Sequence, residues 1–205
     1  MTKAISHNKN VHSPKLFITG IPTAGKSYLA KKLAEVADGV AVNMDDYRES
    51  LISDKRYQAW VNFYRNQNEE EYLKTTSPDK MWEDLVAQSE ALWPAFLKKI
   101  AEYENVEQPI IFECVNLLPH LAKRDLPFPG IALIGKSYEE VLERNKMDPR
   151  WGKDPKIQEL ESKIFFEVER PRYESEAKKY GYPIFKTADK AFEPALKLIL
   201  EQQDN

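Results

Sequence analysis

The sequence predicts an α/β fold, a three-layer doubly wound sheet of five parallel strands with a helical insertion. Three observations lead there. The apolar runs are short and continuous rather than alternating, as in strands covered on both faces. Stretches of helical periodicity separate most of them, the order that builds a parallel sheet. Between the first strand and the first helix lies a glycine-rich loop, Gly20-Ile21-Pro22-Thr23-Ala24-Gly25-Lys26-Ser27.

The elements follow in order. Leu16-Phe17-Ile18-Thr19 is an apolar run leading into the loop, and Leu29, Ala30, Leu33 and Ala37 recur at helical spacing after it. Asp38-Gly39 closes that helix, and Val40-Ala41-Val42 makes a second strand ending on the polar group Asn43-Met44-Asp45-Asp46. From Glu49 to Glu107 no strand is convincing. Ser77-Pro78 is a cap and first-position pair that opens a long helix through about Tyr103, which Pro94 is expected to kink. The third strand is expected over Pro109–Val115 and the fourth over Gly130–Ile134, joined by a Pro-rich connection. A helix over Ser137–Arg144, a charged loop from Lys146 to Asp154 and a long polar helix from about Lys156 to Tyr180 come next. Tyr182-Pro183-Ile184-Phe185 is the fifth strand and Ala191–Gln202 the terminal helix.

With 205 residues, 42% of them hydrophobic, the chain can bury a sizeable core, and its length suits one domain with an insertion. The expected organisation is a flexible tail at 1–14, a single domain at 15–205, an insertion at 49–107 and a lid at about 144–156. A net charge of −3 with 31% charged residues argues against broad electrostatic capture of nucleic acid or of a membrane surface. Residues Met1–Pro14 are polar and lack the apolar stretch of a signal peptide. The single Cys114 excludes an internal disulfide, and its apolar surroundings suggest a reduced, buried thiol in a cytoplasmic protein.

The glycine-rich loop carries the chemistry. Its glycines let backbone amides turn toward a phosphate, Lys26 brings a positive charge to the β and γ phosphates, and the Ser27 hydroxyl is a Mg²⁺ ligand. Residues Gly20 to Tyr28 are therefore the expected nucleotide-binding segment, with ATP and Mg²⁺ as cofactors. Asn145-Lys146-Met147-Asp148 spells a guanine-reading pattern, but a helical stretch separates it from the fourth strand, where GTPases place it directly on the strand end. It is read as a decoy.

The remaining features resemble the small-molecule and nucleotide kinases of the P-loop class, among them adenylate, gluconate and shikimate kinases and the zeta toxins. The loop Gly20–Ser27 has their form, with proline at its third position. Asn43-Met44-Asp45-Asp46-Tyr47-Arg48 resembles the acidic-then-arginine element after their second strand. Phe112-Glu113 stands where several carry an acidic residue, although many P-loop ATPases have aspartate there, and Arg144–Arg150 resembles their lid. The resemblance implies a nucleoside-monophosphate-kinase-like P-loop fold that transfers the γ-phosphate of ATP to a hydroxyl of a small-molecule acceptor. A nucleoside or nucleoside monophosphate kinase is one alternative, and a nucleotide-binding regulator that hydrolyses ATP slowly is another. A monomer or homodimer is expected.

The cast for that chemistry is Lys26, Asp45, Arg144 and Arg150 for catalysis and Asp45, Asp46, Arg48 and Glu113 for the acceptor. Asp45 ends a strand beside the loop strand and can point into the crevice where open α/β sheets bind ligands. Asp46 is its alternate, and a capping box of Asp46 with Glu49 is the competing use. Arg48 can hold an anionic group bidentately or lie on a helix surface. Glu113 follows three apolar residues, where a carboxylate is costly unless paired or linked to metal. Arg144 and Arg150 are lid arginines for the γ-phosphate, with Lys153 and Arg172 as substitutes. His120 is read as structural. Tyr57, Trp60, Phe63, Tyr64, Trp82 and Trp93 crowd the insertion, serving either core packing or a planar substrate. Thr187-Ala188-Asp189 resembles the segment that adenine packs against in related kinases.

Overall fold

The computed structural model describes residues 13–149 and 153–203. The strand β1 (Lys15–Gly20) is buried along its whole length and runs into the glycine-rich loop, from which α1 (Lys26–Val36) departs. Then follow β2 (Val40–Asn43), α2 (Met44–Ser50), the short α3 (Gln58–Val61), α4 (Glu69–Thr75) and the long α5 (Pro78–Ala101). The second half holds β3 (Ile110–Glu113), α6 (Pro119–Asp125), β4 (Gly130–Leu133), α7 (Tyr138–Met147), α8 (Pro155–Lys163), α9 (Arg170–Tyr180), β5 (Ile184–Phe185) and α10 (Ala188–Leu200).

All strand pairs are parallel, in the order β2-β3-β1-β4-β5. Helices cover both faces, with α1 packed beside α10 and α6 beside α9. Leu16, Phe17, Ile18, Ile110, Ile111, Phe112, Ile131 and Leu133 are fully buried, which is why these strands read as unbroken apolar runs. The chain leaves β1 toward β2 on one side and reaches β4 on the other after β3. Such a reversal opens a crevice beyond the carboxyl ends of β1 and β3.

Several expected boundaries move. The strand β3 stops at Glu113 rather than Val115, because the chain turns at Cys114–Asn116. Pro94 lies inside one uninterrupted helix, α5, started by the Ser77 side chain accepting from the Lys80 amide at 3.2 Å. The charged loop after the fourth strand is shorter than expected, since Asn145, Lys146 and Met147 belong to α7 and Asp148 ends it. That places the guanine-like pattern on a helix, away from a strand end. The long polar helix is α8 and α9 joined by a π-helical stretch over Ile164–Glu169. No described helix is long and apolar enough to cross a membrane.

The junction of β1 with the loop admits no side chain. Gly20 has φ +123°, and a Cβ there would fall 1.8 Å from the Leu133 carbonyl oxygen, on the strand paired with it. Gly20→Ala is expected to cost more than about 3 kcal/mol, since backbone rather than a movable side chain must yield. Urea unfolding measures this directly, and a variant within about 0.5 kcal/mol of wild type would show that the contact relaxes freely.

Candidate active site

A cavity of about 610 Å³ opens in that crevice, with the glycine-rich loop at one end and the helices of the insertion at the other. The loop backbone is pinned at both ends. Gly25 takes φ +95° as the residue before α1, and Thr23 takes φ +60°, uncommon outside glycine. Ile21 and Ala24 send their side chains into the core, while Pro22, Thr23 and Gly25 of the loop line the cavity. The Thr23 hydroxyl is buried without a hydrogen-bond partner among the described residues. Lys26 is 5% exposed and its ammonium donates to the Gly20 and Ile21 carbonyls at 3.1 and 2.8 Å, folded over the loop it follows. Pro22, Ser27 and Tyr28 line the same cavity, Tyr28 mostly exposed.

Arg144, on α7, reaches this loop. One guanidinium nitrogen donates to the Thr23 carbonyl at 3.1 Å and another pairs with Glu140 at 2.5 Å, one helical turn back. Arg150 lies outside the described residues. Arg172 pairs with Asp79 at 2.5 Å, and neither it nor Lys153 is on the cavity wall.

Asp45 and Asp46 open α2, and both line the cavity. The cap of α2 is Asn43, whose side-chain oxygen accepts from the Asp45 and Asp46 amides at 2.8 and 3.1 Å. An Asp46–Glu49 capping box would start the helix three residues later than it starts. Asp46 is exposed and Asp45 half-buried. Arg48 grips Asp45 Oδ1 at 2.8 Å, Asn116 Oδ1 at 2.8 Å and Glu49 Oε1 at 3.2 Å. Asn116 in turn donates to Gln88 and Ser89 of α5 at 3.1 and 2.9 Å, tying this arginine to the insertion. Its donors are therefore engaged within the protein. The Cys114 thiol lies 3.4 Å from Asp45 Oδ1, and burial, reinforced by the Asp45 charge, pushes the thiol well above its ordinary pKa. That describes an unreactive cysteine.

Glu113, 2% exposed, ends β3 opposite both Ile18 and Asn43 and lines the cavity. The hydroxyl of Ser27 and the carboxylates of Asp45 and Glu113 are hard oxygen donors, the type Mg²⁺ takes alongside phosphate and water. Among the described residues no group of three or more His, Cys, Asp or Glu side chains forms a metal cage; Mg²⁺ at nucleotide sites needs only one or two protein carboxylates. The donor set fits the ion.

Sequence reading missed the wall formed by α8 and the π-helical stretch. Glu161 is held by the Asn145 amide at 3.0 Å, so the residue of the decoy pattern is a buried brace between α7 and α8. Glu169 lines the cavity with Oε2 enclosed, and that oxygen has no hydrogen-bond partner among the described residues. Burial pushes its carboxyl up to about 7, against the pull of the Lys26 charge and with a further push from Glu161. Tyr64 and Tyr72 face the same region, their rings 5.8 Å apart and near-perpendicular. Trp93, Trp82 and Phe63 instead pack within the protein, as most of the insertion's aromatics do. His120 pairs with Glu176 at 3.0 Å, away from the cavity.

A second, adjoining cavity is lined by Gly25, Tyr28, Lys136, Arg144 and Thr187–Asp189. The Thr187–Asp189 segment is the start of α10, with Thr187 capping it through the Lys190 amide at 3.3 Å. The two cavities share Gly25, Tyr28 and Arg144.

No protein-family model matches the chain, and no curated protein matches it in sequence. Solved structures do match in fold. A shikimate kinase from Acinetobacter baumannii in complex with shikimate is 16% identical, with 92% of this chain and 94% of that one covered at a TM-score of 0.50. A gluconokinase from Sinorhizobium meliloti 1021 is 14% identical over 97% of both chains at a TM-score of 0.44. A deoxyadenosine kinase from M. mycoides with bound dATP is 15% identical over 94% of this chain and all of that one, at 0.45. With its strand order, its parallel sheet covered on both sides and its glycine-rich loop between β1 and α1, the chain has the fold of the P-loop kinases.

Proposed function

We propose that the chain is an ATP- and Mg²⁺-dependent kinase that phosphorylates a hydroxyl of a small molecule. The observation that carries this reading is one continuous cavity with the phosphate-type loop at one end and a half-buried, oriented carboxylate, Asp45, on its wall. Phosphoryl transfer requires little covalent work from the protein, only alignment and positive charge around the moving group.

In this reading the adenine occupies the second cavity against Tyr28 and Thr187–Asp189, and the phosphates run past Gly25 into the first. The backbone of Gly20–Ser27 and the Lys26 ammonium hold the β and γ phosphates. Ser27, with Glu113 through water, would hold Mg²⁺, which would neutralise phosphate charge. Arg144, moored to Thr23 and Glu140, swings to the γ-phosphate. Asp45 accepts the acceptor's hydroxyl proton. The new bond joins that oxygen to the γ-phosphorus as the bond to the ADP oxygen breaks. Arg48 keeps Asp45 aimed, and the insertion over 49–107 supplies the acceptor end.

Incubation with ATP, Mg²⁺ and a panel of small hydroxyl compounds is expected to yield ADP and one phosphorylated product, with no product once EDTA removes the metal. Appearance of the γ-phosphate as inorganic phosphate alone across the panel would replace this reading with slow ATP hydrolysis.

A further inference from the structure

We propose that the phosphate acceptor carries an ammonium group and no anion, and that the ammonium binds among Tyr64, Tyr72 and Glu169. The inference rests on the kinase reading above, and names the substrate class that the far end of the same cavity fits.

Charge is the first argument. On the wall of the main cavity, seven carboxylates face four cations among the described residues. Of those cations, Lys26 and Arg144 sit at the loop, where a nucleotide's phosphates would draw on them. Arg48 is held by Asp45, Asn116 and Glu49, and Arg65 pairs with Glu49. An acceptor bearing a carboxylate or phosphate would find neither arginine available without breaking an ion pair already made. It would also enter a region where carboxylates predominate, and like-charge contacts of that kind reject a ligand.

Glu169 is the second argument. Its enclosed Oε2 has no hydrogen-bond partner among the described residues, and a carboxylate in that position is costly unless a cation or donor meets it. Among the described residues, the titratable groups that face it are Lys26 from α1, Glu161 from α8, Tyr64 from the segment between α3 and α4, Tyr72 from α4 and Tyr173 from α9. Lys26 is the one cation in that set. Once Lys26 turns to a phosphate, Glu169 faces phenols and another carboxylate, and a cation brought by the acceptor restores the balance.

The aromatic rings are the third. Tyr64 and Tyr72 stand edge to face, and the Tyr72 hydroxyl is tied back to Asp84 Oδ2 at 3.0 Å. Burial, with the nearby Tyr and carboxylate charges reinforcing it, raises the pKa of both phenols, so they stay neutral. Two neutral rings and a carboxylate beside the apolar side chains of Val61, Leu85 and Phe165 form a pocket of the type that holds an alkylammonium group.

Choline and ethanolamine, each a hydroxyl and an ammonium on two carbons, are probes small enough to enter, with ethylene glycol and glycolate as neutral and anionic counterparts. In the presence of ADP and Mg²⁺, calorimetry on the wild type is expected to show binding of the two ammonium probes, at least about tenfold tighter than either counterpart. Their affinity is expected to rise with pH through about 7 as Glu169 ionises, and in Glu169→Gln to be weaker and flat with pH. Tighter binding of glycolate or ethylene glycol, or no preference for the ammonium probes, overturns the proposal on the wild type alone. An ammonium affinity unchanged in Glu169→Gln overturns the assignment of the counter-ion. ADP binding, read in the same titrations, reports separately on the kinase reading.

Discussion

Lys26→Ala is expected to lower phosphoryl transfer by on the order of 10³-fold while leaving the fold in place, the loss that follows when one preorganised charge is removed from a developing anionic centre. The structure sets the cost to the protein itself at a low level. The ammonium meets the Gly20 and Ile21 carbonyls, neutral acceptors at the edge of a cavity where water can replace it. That substitution forfeits about 1 kcal/mol for each hydrogen bond, and the Glu169 carboxyl, already pushed up to about 7 by burial, takes up a proton more readily once the Lys26 charge is gone. Thermal unfolding and circular dichroism should therefore stay near wild type, while nucleotide affinity falls and turnover collapses. Undiminished turnover would remove the loop from the reaction, whatever the fold suggests.

How much of this was readable in advance depended on how local each feature is. The loop is encoded by eight consecutive residues, and the strand before it and helix after it lie within a dozen positions on either side. Continuous burial of β1, β3 and β4 showed through as unbroken apolar runs. Asp45 was readable as a strand-end carboxylate, but its setting was not. Its partner Arg48 is organised by Asn116, which is 68 residues further on, and nothing in either segment advertises the other. Glu161 and Glu169 were hidden by their surroundings, a polar helix in which charged residues appear on every side. The π-helical turn over Ile164–Glu169 alters which of them face the cavity, and that shift has no sequence signal. Asn145 illustrates the converse. A motif was legible there, and helix α7 gave the residue a different use, as a brace for Gln158, Glu161 and Ser162.

Asp45→Asn carries the second large effect, an expected fall in kcat of about 10²- to 10⁴-fold, the range for a positioned general base. Asparagine preserves the size of the side chain and offers Arg48 a carbonyl oxygen in place of Oδ1, so the network through Asn116 to α5 can persist. What it removes is the capacity to take the acceptor's proton. The KM for ATP should therefore change little, since nucleotide contacts are assigned to the loop, to Arg144 and to the second cavity. Asp46→Asn is the matched control. Asp46 is one residue along the same helix, shares the Asn43 cap and lines the same cavity, but is exposed and pairs with no arginine among the described residues. Its substitution is expected to change kcat by no more than about threefold, within the scale of surface charge changes. If Asp46→Asn instead produced the larger loss, the acceptor would lie on the solvent side of α2. The catalytic carboxylate would then be the one that Arg48 leaves alone.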